Sequence, residues 1–306
     1  NEQLLYKAPA IASVITRRDI EHSSANTVNE LLEMVPGLHV SEDYYSGNAV
    51  YSMRGFFRDP DAGMLFLING VPINTLQDGS RFAAHRMLLN NIEQIEIVRG
   101  PGSAVYGADA FVGVINIITR EYQSEQEYGL LYGSFENKGA WLQNNFKLGK
   151  WENHISLQYQ SAEGDKDRII DSDLQTFFDT VTTTNASTAP SNMETGYKNI
   201  DLELGFSHSN WNIKQWLWMI DDHENGHGIP SLDVLDPDGQ LSSRASLSMI
   251  EYNNRRISSN LSLNVRLSYL DHVVEREQYL LPADSIAPVG NDGNLFTSGI
   301  RNVSFP

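Results

Sequence analysis

The sequence predicts two architectures in one chain: an α+β domain over residues 11–120, then antiparallel strands of a transmembrane β-barrel over residues 121–306. Three observations carry this. Residues 91–120, NIEQIEIVRGPGSAVYGADAFVGVINIITR, read as strand, compact turn, strand. Ile92, Ile95, Ile97 and Val98 lead in, and Val112, Val114, Ile115, Ile117 and Ile118 lead out, rich in the β-branched residues that favour strands. Gly100, Pro101, Gly102 and Gly107 punctuate the centre, where glycine adopts backbone angles other residues resist and proline fixes φ. Second, apolar and polar residues alternate with period two after residue 126, over segments long enough to span a membrane. Third, from the second segment onward short and long connections alternate, which puts the long ones at one end; the first join, 136–138, is short where the parity asks for a long one.

The formal charge is −17, from 22 basic and 39 acidic residues, which argues against a nucleic-acid surface. There is no cysteine, so there is no disulfide and no thiolate chemistry. No run of about 18 apolar residues exists, so no transmembrane helix is expected, but barrel strands need no such run. The N-terminus lacks a signal-peptide pattern and reads as mature or trimmed.

Residues 1–10 carry no strong pattern. Ile11–Thr16 reads as a strand and Arg17–His22 as a short helix. Thr27, Val28, Asn29 and Glu30 fit a capping box, with Thr27 accepting from the backbone and Glu30 reaching back. Val28, Leu31, Leu32 and Val35 then form one apolar helical face, ended by Pro36 and Gly37. Residues 49–54 form a strand running into Met53, Arg54 and Gly55, and Met64–Ile68 form another. Asn69 and Gly70 are a strong tight-turn signal.

These motifs resemble, in order and spacing, the plug domain of TonB-dependent outer-membrane receptors. The segment IEQIEIVRGPGSAVYGADAFVGVINIITR is similar to that family's "IE-x-IEV-x-RGP-x-S-x-LYG-x-x-A-x-GGVINIIT", with Val105 for the usual leucine and Val112 for a common second glycine. VITRRDI, VNELLEMVPGLHV, MRGF and LINGVP match further family positions. The resemblance covers residues 11–120 and includes Gly55, Gly70, Gly100, Pro101, Gly102, Tyr106, Gly107, Gly113 and Asn116. The bare alternatives are a buried hairpin with a glycine-rich turn, or a phosphate loop. The second lacks the Gly-Lys-Ser/Thr that its chemistry needs.

The resemblance implies that residues 1–10 follow a TonB-binding box, which is not found here, and that three polar or aromatic stretches, residues 41–48, 56–63 and 76–86, are apical loops facing a ligand. Asp43, Tyr44, Tyr45, Phe57, Arg58, Arg81 and His85 are the expected contacts. It also implies that Arg54 and Arg99, each just before a glycine, pair with barrel-wall carboxylates and lock the plug. The implied activity is TonB-driven import of a scarce ligand across the outer membrane of a Gram-negative bacterium. Ferric siderophore is the first class, with haem, cobalamin and glycans as alternatives. The implied partners are periplasmic TonB with its inner-membrane energising complex, and outer-membrane lipid. A surface receptor or adhesin barrel that transports nothing is the reading from another class.

Candidate barrel strands lie near residues 126–135, 139–148, 151–163, 196–208, 211–222, 247–257 and 261–276. In the third, Trp151, Ile155, Leu157 and Tyr159 oppose Glu152, His154, Ser156, Gln158 and Gln160. In the fourth, Ile200, Leu202, Leu204 and Phe206 oppose Asp201, Glu203 and Gly205. The stretch 211–220 is less clean, with apolar residues on both faces. Joins at 149–150, 209–210 and 258–260 are tight; those near 164–195, 223–246 and 277–298 are long and polar. A soluble β-sandwich also alternates, but nothing in it requires the long loops to share one end. Residues 300–305 read as the start of an eighth strand. Eight strands cannot enclose a domain of this size, and barrels with a plugged lumen have about 22. The 306 residues therefore read as part of a larger protein.

No catalytic triad or carboxylate pair emerges, so no enzyme is expected, nor any resident cofactor or metal. The run 221–227, DDHENGH, lacks EF-hand spacing and reads as an acidic loop, as do Asp233, Asp236 and Asp238. His39 reads as structural rather than as a haem ligand.

Overall fold

The computed structural model describes residues 11–42, 49–56, 63–74, 86–100, 102–121, 126–192, 196–222, 235, 239–258, 261–277, 286–289 and 301–304. The chain opens with β1 (Ile11–Thr16), α1 (Arg17–His22), α2 (Val28–Glu33), β2 (Leu38–Glu42) and β3 (Ala49–Met53). Then come β4 (Met64–Ile68), β5 (Val71–Pro72), β6 (Ile92–Arg99), α3 (Ser103–Tyr106) and β7 (Gly113–Thr119). A five-stranded sheet of order β1-β6-β7-β4-β5 forms the centre, and β2 pairs with β3 apart from it.

Local chemistry sets these boundaries. Thr16 caps α1 by accepting from the Asp19 N–H, and the Asp19 carboxylate accepts the Thr16 N–H in return. This capping box escaped the sequence reading, because Asp stands where Glu or Gln is usual. The box expected at α2 is only half present. Thr27 accepts from the Glu30 N–H, but the Glu30 carboxylate takes the N–H of Asn26 rather than of Thr27. Val28, Leu31, Leu32 and Val35 are all buried, as their spacing requires. Asn69 (φ +50°) and Gly70 (φ +79°) both occupy the left-handed region, the two-residue turn that lets β4 pair directly with β5. β4 is buried at every position, between β7 and β5.

Seven strands follow in one antiparallel sheet: β8 (Glu127–Tyr132), β9 (Lys138–Leu148), β10 (Trp151–Ala162), β13 (Tyr197–His208), β14 (Trp211–Asp222), β15 (Gln240–Ser258) and β16 (Leu261–Glu277). Each pairs with its sequence neighbour in the sheet, as in a barrel wall. The joins at 149–150, 209–210 and 259–260 are tight; those at 163–196, 223–239 and after 277 are long and leave from the opposite end. Leu157, Tyr159, Ile200, Leu217 and Met219 point outward and are exposed, the arrangement of a lipid-facing band. No described helix is long and apolar enough to cross a membrane.

Two strand readings need correction. β15 begins at Gln240, not near residue 247. Ser242, Ser243, Arg244 and Ser246 look loop-like in composition, but the ladders to β14 and β16 satisfy their backbone groups. Residues 301–304 do not open an eighth wall strand. As β18 (Arg301–Ser304) they pair with β17 (Ile286–Val289) in a ribbon separate from the seven-stranded sheet.

The join 163–196, read as a long polar loop, is folded. It contains β11 (Ile169–Ile170), α4 (Leu174–Thr182) and β12 (Ser191–Asn192), with Phe178 fully buried. Asp173 caps α4, and its carboxylate also accepts the N–H of Leu235 from the next long join (3.1 Å). Asp179 accepts from Thr184 Oγ1 (2.6 Å), Gln175 Nε2, Ala186 N and Ser187 N (each 2.8 Å). Burial pushes the Asp179 carboxyl up, and these hydrogen bonds outweigh it, holding the group below its ordinary 3.8. A depressed folded-state value stabilises the loop above the ordinary range, and that contribution is lost as pH falls through the folded value. Proteolysis of the 163–196 join on intact cells should therefore be flat from pH 7 to pH 5 in both proteins, and higher throughout in Asp179→Ala. Equal cleavage of variant and wild type at neutral pH would sink the assignment.

Candidate functional site

The site is the seam between the α+β domain and the wall. Register places three rows of side chains on the inner wall face. Trp141, Gln158, Asp201 and Trp218 form one, and Gln143, Ser156, Glu203 and Trp216 the next. Asn145, His154, Gly205 and Lys214 form the third, nearest the tight turns. Gln143, Ser156, Gln158, Asp201 and Glu203 are each at most 3% exposed. The polar face seen in the sequence is thus a buried surface with the inner domain against it. The apolar residues on both faces of β14 have the same cause: Trp216, Trp218 and Ile220 turn inward and join the core of the inner domain, while Leu217 and Met219 turn outward.

The segment 86–91 is the part of the inner domain most tightly fastened. Asn199 Nδ2 donates to the Arg86 carbonyl (2.5 Å), and the Arg86 guanidinium lies 4.2 Å from the Tyr197 ring centroid. Asn90 N–H donates to Gln158 Oε1 (3.2 Å), and Gln143 Nε2 donates to the Asn90 carbonyl. Asn91 Nδ2 donates to Glu203 Oε2 (3.0 Å). Thr119 Oγ1 donates to Glu203 Oε1 (3.1 Å) while accepting from Asn69 Nδ2 (2.9 Å) and Lys214 Nζ (3.4 Å).

A second fastening lies where the chain enters the wall. Glu127, on β8, accepts from Arg120 Nη1 (2.7 Å) and from Trp141 Nε1 (3.0 Å), and Arg17 Nη2 lies 3.4 Å away. Arg17 Nη1 also donates to the Leu89 and Ile92 carbonyls. Three elements distant in sequence therefore meet on one carboxylate. Sequence reasoning missed Arg17, Arg120, Glu127 and Glu203 as a lock: Arg17 meets Glu127 across 110 positions and Asn91 meets Glu203 across 112, and nothing local marks the pairing of Arg120 with Glu127 seven positions on.

A cavity of about 430 Å³ lies between the inner sheet and β14–β16. Asn69, Glu96, Asn116, Lys214, Glu251 and Arg266 line it. A β-carbon at Gly70 would come within 2.8 Å of Arg266 Nη1, so glycine there lets the β4–β5 turn approach the wall.

Asp43, Tyr44, Tyr45, Phe57, Arg58, Arg81 and His85 lie outside the described residues, as do Pro101 and the acidic residues 223–227, 233, 236 and 238. Arg54 is exposed with φ +54°, and its N–H donates to the Gly37 carbonyl (2.8 Å). Arg99 is half-buried and bonds within its own domain, to the Pro36 carbonyl (2.7 Å) and Ser13 Oγ. Among the described residues, neither guanidinium touches a carboxylate. Asn116 bridges Glu96 (3.0 Å) and the Gly70 N–H (3.0 Å). Gly102 is buried and bonds Ala110, Tyr106 is exposed, and Gly55, Gly100 and Gly107 have φ of +76°, +119° and +93°. His39 is exposed and paired with Glu33 (2.9 Å). Among the described residues no group of three or more His, Cys, Asp or Glu side chains is placed to hold a metal ion.

Fold and seam together define strands of a barrel wall with a globular domain seated on their inner face. Residues 5–114 match the family model described as the TonB-dependent Receptor Plug Domain. Over 126 residues the chain is 37% identical to the vitamin B12 transporter BtuB of Vibrio vulnificus (strain CMCP6), covering 41% of this chain and 20% of that one. The ferric yersiniabactin uptake receptor FyuA of Yersinia pestis superposes with TM-score 0.61 at 15% identity, over 92% of this chain and 43% of its own. The alcaligin outer membrane receptor FauA of Bordetella pertussis gives 0.62 at 15%, over 89% and 40%. At such identities these structures share the fold. The chain spans a fifth of the BtuB relative and about two fifths of the two receptors. Residues 5–114 are thus similar to the plug of TonB-dependent receptors, and the strands that follow share the fold of their barrels.

Proposed function

We propose that this chain is the plug, residues 11–120, and the first barrel strands of a TonB-dependent transporter that imports a scarce ligand, a ferric siderophore in the first instance. Periplasmic TonB, driven by the inner-membrane proton gradient through its partner complex, supplies the work. The observation that carries this reading is the seam. Beside the apolar packing of Trp216, Trp218 and Ile220, the plug is held to the wall by individual polar contacts such as Asn90–Gln158 and Asn91–Glu203, which can be exchanged for water as the plug moves. In the complete barrel, Arg54 and Arg99 add contacts to wall carboxylates outside this chain.

Ligand contacts come from residues 41–48, 56–63 and 76–86. The cations Arg58 and Arg81, with Tyr44, Tyr45 and Phe57, suit an anionic ferric chelate through charge-assisted bonds. The 37% identity to a vitamin B12 transporter favours a second reading, a cobalamin importer. Growth on single ferric siderophores and on limiting cobalamin separates the two. Arg58→Ala with Arg81→Ala should reduce siderophore-dependent growth at least tenfold and leave cobalamin use unchanged. Cobalamin-dependent growth through this receptor alone would establish the second reading. Unchanged siderophore-dependent growth in the double variant would remove both arginines from the site.

A further inference from the structure

We propose that the plug–wall seam binds a small monovalent cation, held by oxygen atoms of Asn91, Gln143, Ser156 and Glu203. Two observations independent of each other lead there. The first is a set of buried oxygens without partners. Asn91 Oδ1, Gln143 Oε1 and Ser156 Oγ each lack a hydrogen-bond partner, and their residues are 1%, 1% and 0% exposed. Neither amide can be turned to cure this. Asn91 Nδ2 is committed to the Glu203 carboxylate, and Gln143 Nε2 to the Asn90 carbonyl, both pure acceptors. The oxygens are therefore the free ends.

Register places them together. Ser156 is the direct cross-strand partner of Gln143 on one side and of Glu203 on the other. Such neighbours have β-carbons about 5 Å apart. Asn90 and Asn91 of the plug close over this row through their bonds to Gln143 and Glu203. Two amide oxygens, a hydroxyl oxygen and a carboxylate are thus carried by neighbouring buried residues.

The second observation is charge. Asp201 and Glu203 stand two residues apart on the same inner face, 3% and 1% exposed. Asp201 receives only neutral donors, Trp216 Nε1 (2.7 Å) and Gln158 Nε2 (3.3 Å). Glu203 likewise receives the Asn91 amide and the Thr119 hydroxyl. Among the described residues no ammonium or guanidinium is in ion-pair contact with either. Lys214, one row away in register, acts on Glu203 from beyond contact distance and also meets Thr119 and Glu121, so its charge is shared. Two buried carboxylates served by one distant, shared ammonium are costly. A cation beside Glu203 relieves that cost and completes the three orphan oxygens together. Hard oxygen donors with a single contacting carboxylate suit sodium or potassium better than a divalent ion, which gathers more negative ligands. One ligand, Asn91, belongs to the plug and three belong to the wall, so the ion ties plug to wall.

The full-length receptor, purified in detergent, provides the test. Crystals soaked in thallium(I) should show an anomalous peak among the four oxygens. The plug's thermal unfolding midpoint should rise with sodium chloride relative to choline chloride at equal ionic strength. Glu203→Gln, which keeps shape and removes charge, and Ser156→Ala, which removes one ligand, should each weaken that apparent sodium affinity at least tenfold. Density without anomalous signal, meaning water only, overturns the proposal. Identical responses to the two salts in the wild type overturn it as well, and that result does not depend on either variant folding.

Discussion

Arg120→Ala is expected to loosen the plug and let large antibiotics through a barrier that normally excludes them. Arg120 is 4% exposed and ends the last plug strand's run into the wall. Its Nη1 reaches Glu127 Oε2 at 2.7 Å, and its backbone N–H donates to the Asn91 carbonyl at 2.9 Å. Removing the guanidinium leaves Glu127 half-buried with one cation, Arg17, at 3.4 Å, instead of two. Breaking a buried pair from one side costs about 3–5 kcal/mol, and partial exposure of Glu127 puts this case at the lower end. The wall strands hydrogen-bond to each other and should still assemble. Sensitivity to a large glycopeptide antibiotic, at matched receptor levels, reads the result. Glu127→Gln should leak as well, and the double variant should leak less than the two single effects combined, since both act on one contact. An unchanged barrier in Arg120→Ala would remove this pair from the lock.

The second large effect is expected at Gly113. A β-carbon there would lie 2.7 Å from the Val98 carbonyl oxygen and 2.9 Å from Met53 Sδ. Val98 belongs to β6, the ladder partner of β7, so its oxygen cannot retreat without breaking the central sheet. Overpacking of this kind costs about 1–3 kcal/mol, and Gly113→Val, with two further carbons, belongs at the top of that range. The plug should unfold at lower temperature or denaturant while heat-resistant barrel mobility on gels is kept. Val105→Ala is the control, since Val105 is 78% exposed and only a few residues away. Plug stability equal to wild type in Gly113→Val would show that the close approach is absent.

Much of the architecture was legible because it follows from local periodicity. The alternation of Ile200, Leu202 and Leu204 with Asp201 and Glu203 is a property of consecutive residues, and so is the Asn69–Gly70 turn. The tight and long joins follow from where such runs stop. The fold of the join 163–196 was not legible, since α4 is nine residues long and gains its order from Asp179 and buried Phe178. An isolated helix of that length is marginal in water.

The sequence alone thus determined the two-part architecture, the strand faces and the end at which long joins gather, because each depends on neighbours along the chain. Only the tertiary structure decided which polar residues fasten plug to wall. Asn91 meets Glu203 across 112 positions, and Arg17 meets Glu127 across 110. A polar inward face reads the same in sequence whether water or a folded domain covers it. Burial turns Asp201, Glu203 and Ser156 from solvated side chains into groups whose every bond must be found within the seam.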